Sequence, residues 1–350
     1  MAEERLRLGF VSAAHLHTGG LLQAALACPE AEVVGLAEED AELRTHLLGR
    51  FPGLAVYERA EELYERGKPQ AIITCADNQR AAAVVAEAAK RGVHVMKEKP
   101  LSATLALGEA MLVAAARGGV RLMVNWPTNW QPALHYAKAL VDEGRIGEIW
   151  QVRYRAGHGG PPRDYQTRGP VARVGWGWLI EREQNGGGAL IDFCSYGAAI
   201  SRWIMGQPAG VMAVGGRYAK DFFTVEDNAV VVLRYQRGHS LCEGTWTQPA
   251  TPVPMPLMIF GTAGTIAMTG PDEVQVATAG PSVETLRAPA LPVHCASGPA
   301  HFVHCIKTGE PFTGMVDPLI GRDAQEILEA ALLALAERRE VSLPLPVVSK

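Results

Sequence analysis

From residue 5 to residue 125 the chain alternates short apolar runs with helical stretches, and few folds can accommodate that alternation. The runs Leu6 to Val11, Glu32 to Ala37, Ala55 to Tyr57, Ala71 to Thr74, Val93 to Met96 and Val120 to Asn125 read as buried strands. Helices are expected at about His17 to Cys28, Ala41 to Arg50 and Glu61 to Arg66. A further alanine-rich helix stops at Gly92, and another is expected to be capped by Ser102 and ended by Gly118-Gly119. Six strands, each followed by a helix or turn, predict an α/β fold built on a doubly wound parallel sheet. Ligands of such a sheet bind beyond the carboxyl ends of the strands.

After Trp126 the pattern changes. A helix at Pro132 to Glu143 and a strand at Glu148 to Arg155 precede a glycine- and proline-rich loop, residues 157–177. A helix from Ala189 to Trp203 follows, then strands near 211–218, 228–235, 240–246, 257–260 and 265–268, and a last helix from Asp323 to Glu337. Strands in succession, with turn signals such as Arg237-Gly238 between them, predict an open, largely antiparallel sheet with helices on one face, hence an α+β domain. At 350 residues the chain exceeds what one growing core accommodates. We therefore expect two domains, 1–125 and 126–350.

Bulk properties exclude several classes of partner. Apolar residues make up 48% and charged residues 20%, with a formal net charge of -4, so the electrostatic footprint of a nucleic-acid or anionic-membrane binder is missing. The first apolar run is too short for a signal peptide or membrane span, and a cytoplasmic location is expected. Cys28, Cys75, Cys194, Cys242, Cys295 and Cys305 contain no Cys-x-x-Cys pair, as expected of reduced, mostly buried thiols.

Two regions carry chemistry. The turn after the first strand is a dinucleotide position, because free N–H groups and the helix dipole stabilise a pyrophosphate. Where a Gly-x-Gly-x-x-Gly fingerprint would fall, the chain has Ser12, Ala14 and His17. Small Ser12 and Ala14 still permit close approach, His15 is placed to contact the nucleotide or substrate, and His17 departs from the pattern. Glu38, at the end of the second strand, can accept hydrogen bonds from a ribose diol and repel a 2′-phosphate, which favours NAD over NADP; the alternative is an exposed acidic helix start.

The second region joins Lys99, directly before Pro100 at a strand exit, to the segment Gly186-Gly187-Gly188-Ala189-Leu190-Ile191-Asp192-Phe193-Cys194-Ser195-Tyr196. The three glycines would let backbone approach a ligand, and Asp192 and Tyr196, four apart, would share a helix face. Oxidising an alcohol removes a hydride from carbon and a proton from oxygen. A phenol ionising near pH 10 becomes a usable base beside an ammonium, so a Lys99, Asp192 and Tyr196 site would transfer protons. The alternative is a core aromatic and a helix-start acid.

Together, Gly92-x-His94-Val95-x-x-Glu98-Lys99-Pro100 and Gly186-Gly187-Gly188-Ala189-Leu190-x-Asp192 resemble the Gfo/Idh/MocA family of sugar and cyclitol dehydrogenases. The likeness extends over most of the chain, through Asp77-Asn78, Gly144-Arg-Ile-Gly-Glu-Ile and Gly261-Thr-Ala-Gly-Thr-Ile. The resemblance implies that Lys99 orients substrate near nicotinamide, that Asp192 positions hydroxyls, and that Tyr196 stands where members carry histidine or tyrosine. It also implies cofactor contacts at Cys75, Asn78, Glu98, Lys99 and Asn125. All three fingerprint glycines are replaced, Asn129 stands where many members have arginine, and Ala199 replaces a frequent acid.

The loop with His158 and Arg163, together with Trp176 and Trp178, is expected to cover a polyol, giving substrate contacts at His158, Arg163 and Trp178 beside Lys99, Asp192 and Tyr196. His294, Cys295, His301, His304 and Cys305 are ligand-type residues. A helix face explains His301-x-x-His304 equally well, so no metal is assigned. The expected protein is an NAD-dependent oxidoreductase of a sugar, cyclitol or related polyol, working as a homodimer or homotetramer. Two other readings stay open: an NAD-dependent glycosidase using transient oxidation, and a non-catalytic NAD-binding sensor.

Overall fold

The computed structural model describes residues 4–249, 256–280 and 282–346. The chain begins with β1 (Leu6–Val11), α1 (Thr18–Leu26), β2 (Ala31–Ala37), α2 (Ala41–Arg50), β3 (Val56–Tyr57) and α3 (Ala60–Glu62), which runs into a π turn, Leu63–Gly67. It continues with β4 (Ala71–Thr74), α4 (Ala81–Lys90), β5 (His94–Glu98), α5 (Leu105–Gly118), β6 (Leu122–Asn125), α6 (Pro132–Asp142), β7 (Ile149–Gly157), α7 (Pro170–Gly177) and α8 (Arg182–Asn185). After a second π turn, Leu190–Cys194, come α9 (Ser195–Met205), β8 (Gly210–Gly216), β9 (Asn228–Arg234), β10 (His239–Thr245), β11 (Leu257–Gly261) and β12 (Gly264–Met268). The last elements are β13 (Glu273–Thr278), β14 (Val283–Arg287), α10 (Gly298–Thr308), α11 (Pro318–Glu337) and β15 (Val341–Ser342).

Two compact units result. The first comprises Met1–Trp126, Pro162–Gly186 and Pro292–Pro318, and the second Pro127–Pro161, Gly187–Leu291 and Leu319–Lys350. The first holds a parallel sheet in the order β3-β2-β1-β4-β5-β6. Leu8, Phe10, Ile72, Ile73, Val95 and Met96 are fully buried, as strands covered on both faces require. Strand order reverses between β1 and β4, and that switch point is where such sheets open a ligand crevice. The doubly wound sheet expected from the alternation is therefore present.

In the second unit the order is β14-β13-β12-β11-β7-β10-β9-β8-β15, antiparallel throughout except for β7 against β10. Burial alternates along β9: Ala229, Val231 and Leu233 lie inside, and α9 packs on the buried face of β7 and β10. The open, largely antiparallel sheet is thus observed. β13 and β14 extend beyond the expected strands, since only Val274 and Val276 there face the core and β14 is almost entirely exposed.

Local boundaries differ in three places. The cap of α5 is Thr104, whose hydroxyl accepts from Leu107 N–H at 3.3 Å, while Ser102 donates to the Thr104 carbonyl at 2.7 Å. The loop expected at 157–177 contains α7, which starts at Pro170, where a missing N–H costs a helix nothing. The helix expected from Ala189 opens with the π turn, and Glu226 Oε1 accepts from Gly188 N–H at 2.6 Å and Leu190 N–H at 3.3 Å.

Candidate active site

The turn after β1 is shaped by Ser12, which adopts a left-handed φ of 65°. A side chain there costs about 1 kcal/mol, which is why glycine is usual at this point of the fingerprint. Ser12 N–H donates to the Ala37 carbonyl at 2.8 Å, and its hydroxyl accepts from Ala14 N–H at 3.3 Å. Glu38, buried at the end of β2, accepts from Ala13 N–H at 2.6 Å and from Asp40 N–H at 2.9 Å. Glu38 is therefore no exposed helix-start acid; it braces the turn. Val11, Ser12, Ala37, Glu38, Glu39 and Arg80 line a hollow here, and Arg80 pairs with Glu39 at 2.8 Å.

His15 and His17 point toward the end of β5. His15 Nδ1 accepts from His17 N–H at 3.0 Å, which puts the proton of a neutral ring on Nε2. Burial, then the charges of His17, Lys99 and Lys97, push His15 well below the usual histidine range. His17 Nδ1 lies 3.0 Å from Glu98 Oε1, and Asn125 donates to Glu98 Oε2 at 2.6 Å. Glu98 is 1% exposed and Lys99 3% exposed; the Lys99 N–H donates to the Asn125 carbonyl at 3.1 Å, where β6 ends. Burial pushes the Cys75 thiol up to about 12, so this predicted cofactor contact is a neutral thiol.

Sequence reasoning missed Lys97. It is 1% exposed, and its ammonium donates to Asn78 Oδ1 at 2.8 Å and to the Pro100 carbonyl. Burial pushes Lys97 down to about 7. Asn78 in turn donates to Asn185 Oδ1 at 2.8 Å, and Asn185 donates to the Leu179 carbonyl at 3.0 Å. Only an unusual residue inside an apolar strand signalled this network.

In the second unit Asp192 sits in the π turn, 6% exposed, and its Oδ2 accepts the indole N–H of fully buried Trp246 at 2.9 Å. Tyr196 follows in α9, its ring stacked on Tyr154 at 6.1 Å and on Phe193 at 6.4 Å. π turns are rare and occur often where side chains are aimed at a ligand. His158 is exposed, its ring edge-on to Phe193 at 4.9 Å, and its Nδ1 accepts from Gly160 N–H at 2.8 Å.

Two expectations are corrected. Trp178 is 5% exposed and donates its indole N–H to the Ala14 carbonyl at 3.1 Å, so it braces the nucleotide turn: a buried indole N–H needs an acceptor, and the turn supplies one. Beside it, Arg173 grips Asp40 at 2.8 Å, which ties α7 to the first unit. Arg163 is exposed. The glycine triplet lets the chain approach itself and not only a ligand: a Cβ at Gly186, where φ is +93°, would lie 2.3 Å from the Ala103 carbonyl oxygen, and one at Gly188 2.0 Å from that of Glu226.

A switch-point crevice with an acidic residue ending β2 and a lysine ending β5 defines a dinucleotide-dependent enzyme class. Residues 9–126 match the model described as oxidoreductase family, NAD-binding Rossmann fold, and residues 134–267 match the GFO/IDH/MocA C-terminal domain. The chain belongs to the Gfo/Idh/MocA family of NAD-binding oxidoreductases. It is 26% identical to D-apiose dehydrogenase of Paraburkholderia graminis over 356 aligned positions, 96% of this chain and 88% of that protein. Myo-inositol 2-dehydrogenase of Thermotoga maritima is 27% identical, over 52% of this chain and 51% of its own length. The fold of levoglucosan dehydrogenase, solved with NADH and levoglucosan, matches with a TM-score of 0.82 at 21% identity, over 98% of this chain and all of that one.

The first unit fits NAD. Glu38, Glu39 and Glu58 put carboxylates around the hollow at the ends of β1 and β2, with Arg80 their one basic neighbour among its lining residues, and the Ser12 turn opens there.

Proposed function

We propose that this chain is an NAD-dependent dehydrogenase of a sugar, cyclitol or related polyhydroxy compound. Bound NAD supplies the hydride acceptor. The first 125 residues hold it: Ser12, Ala14 and His15 form the turn at the pyrophosphate and nicotinamide side, Glu38 receives the adenosine ribose, and Cys75, Asn78, Glu98 and Asn125 support the reacting end. The part of the chain after residue 125 that folds into the second unit binds substrate and makes the oligomer contacts.

Lys99 supplies positive charge to the oxygen that loses its proton. Asp192 accepts hydrogen bonds from substrate hydroxyls and so sets which carbon reacts. Tyr196 takes the hydroxyl proton, and His158 and Arg163 contact the outer end of the substrate. Asp192 carries the reading: a buried carboxylate, fixed by Trp246 one turn before a tyrosine, is an acceptor suited to a vicinal diol and has no role in packing apolar side chains.

The exposed face of the second unit's sheet carries Met212 and Val214 on β8 beside Val232 and Val230 on β9. We place a homodimer or homotetramer contact there. A net charge of -4 argues against nucleic acid, and no helix among the described residues is long and apolar enough to cross a membrane. A cytoplasmic location fits six free cysteines.

The test is an initial-rate screen over aldoses, inositols and sugar acids with NAD and NADP. Net NADH formation with a polyol is the expected result. Aglycone release from an aryl glycoside without net NADH would replace the reading with that of a glycosidase.

A further inference from the structure

Away from the dinucleotide turn, the first unit gathers three imidazoles and two thiols between Pro292 and Glu310. A 3₁₀ turn, Val293–Cys295, folds back on the start of α10, and Ser297 caps that helix by accepting from Ala300 N–H at 3.3 Å. The turn presents His294 and Cys295. The helix presents His301, His304 and Cys305. The ligand-capable atoms of His294, Cys295 and His301 all lie within 4.8 Å of one another, and all three residues are half-buried, open to an ion from solvent.

We propose that His294, Cys295 and His301 bind a thiophilic divalent cation, with Zn²⁺ the best match. Zinc bonds of about 2.3 Å to sulfur and about 2.0–2.1 Å to nitrogen, at a tetrahedral angle, put those atoms roughly 3.6 Å apart. Cys295 Sγ and His301 Nδ1 are 3.5 Å apart. One thiolate and two imidazoles select zinc over magnesium or calcium, which take oxygen ligands. The other two members of the cluster orient the site. The His304 ring stacks on His294 at 4.0 Å with planes 13° apart, and Glu310 Oε2 holds His304 Nε2 at 3.2 Å. Cys305 faces the opposite nitrogen, His301 Nε2, at 3.5 Å, and is buried with Arg121 on its backbone carbonyl. Cys305 is not among the three residues whose ligand atoms converge within 4.8 Å, which assigns the thiolate to Cys295. Three protein ligands leave the fourth position to water or a small anion. Since the ligands come from the turn and from α10, the ion would pin one to the other.

Co²⁺ titration of the metal-free full chain tests this, because cobalt reports ligand type by colour. One equivalent should bind with a thiolate-to-cobalt charge-transfer band and tetrahedral visible bands, Zn²⁺ should displace it, and Zn²⁺ should raise Tm. Cys295→Ser should remove the charge-transfer band, and His294→Ala, in the half-buried turn, should weaken binding at least tenfold while far-ultraviolet circular dichroism and NADH binding stay as in wild type. Cys305→Ser should keep the band. Absence of saturable binding, or a charge-transfer band that survives Cys295→Ser, would overturn the site.

Discussion

Trp246 donates its indole N–H to Oδ2 of Asp192 at 2.9 Å, and the tryptophan is fully buried. The carboxylate thus has one oxygen committed to protein, which fixes its rotamer before substrate arrives. Trp246→Phe keeps an aromatic ring and deletes that donor. A hydrogen bond to a charged group contributes roughly 1.5–3 kcal/mol, so kcat/KM for the preferred polyol should fall about 10- to 100-fold. NADH binding, measured by fluorescence, should stay unchanged. Unchanged kcat/KM would remove Trp246 from any positioning role.

Tyr196→Phe deletes only the phenolic oxygen and keeps the ring that stacks on Tyr154 and Phe193. Tm should therefore stay near wild type while kcat falls roughly 10²-fold or more, and the rise of kcat/KM with pH should disappear. Lys99→Ala should lower kcat by about 10²- to 10⁴-fold without abolishing NADH binding. A Tyr196→Phe enzyme with the wild-type pH profile would shift the base role to Asp192 or His158.

Cofactor choice turns on Glu39 as well as Glu38. Glu38 braces the turn through Ala13 and Asp40, so its replacement would disturb more than specificity. Glu39 holds Arg80 at 2.8 Å on the surface of the same hollow. Wild type should bind NADH more tightly than NADPH, and Glu39→Ser, by releasing Arg80 toward a 2′-phosphate, should tighten NADPH several-fold with little change in NADH. Parallel titrations at two salt concentrations check this, and a wild-type preference for NADPH would reverse the assignment.

Lys97 should leave a signature in the pH dependence of stability. Its folded pKa is down at about 7, against roughly 10 in an unfolded chain. Between those values the unfolded state holds a proton that the folded state has lost, so the stability contributed by this group rises with pH, by up to about 1.4 kcal/mol per pH unit. Below pH 7 both states are protonated and the contribution flattens at its minimum. Urea denaturation of wild type and Lys97→Met from pH 6 to 9 should show wild type gaining relative to the variant above neutrality. Parallel curves would mean that Lys97 is charged across the whole range.

The parallel sheet was legible because each of its strands is a short apolar run bounded by glycine, proline or polar turns, and that shortness separates it from the helices. Lys99, Asp192 and Glu38 were legible because motif spacing places them at element ends. The partners of those residues were not. Trp246 lies 54 positions beyond Asp192, Glu226 lies 38 beyond Gly188, and Asn78 reaches Asn185 across 107, so no local pattern joins them. Trp178 was misplaced for a related reason: composition shows an aromatic ring near a glycine-rich stretch, while only the fold shows that its N–H meets Ala14.

The single parallel pairing in the second sheet has a consequence for biosynthesis. β7 lies between β10 and β11, both of which follow it in the chain, with residues 158–238 intervening before β10 begins. At 5–20 residues per second, a ribosome needs roughly 4–16 s to make that stretch. Throughout that interval β7 has emerged with both of its hydrogen-bonding edges open. Unpaired edges recruit strands from other chains. The nascent protein is therefore exposed to edge-to-edge pairing just after the strands of its parallel sheet have left the tunnel, which makes that interval one in which a ribosome-associated chaperone has much to protect.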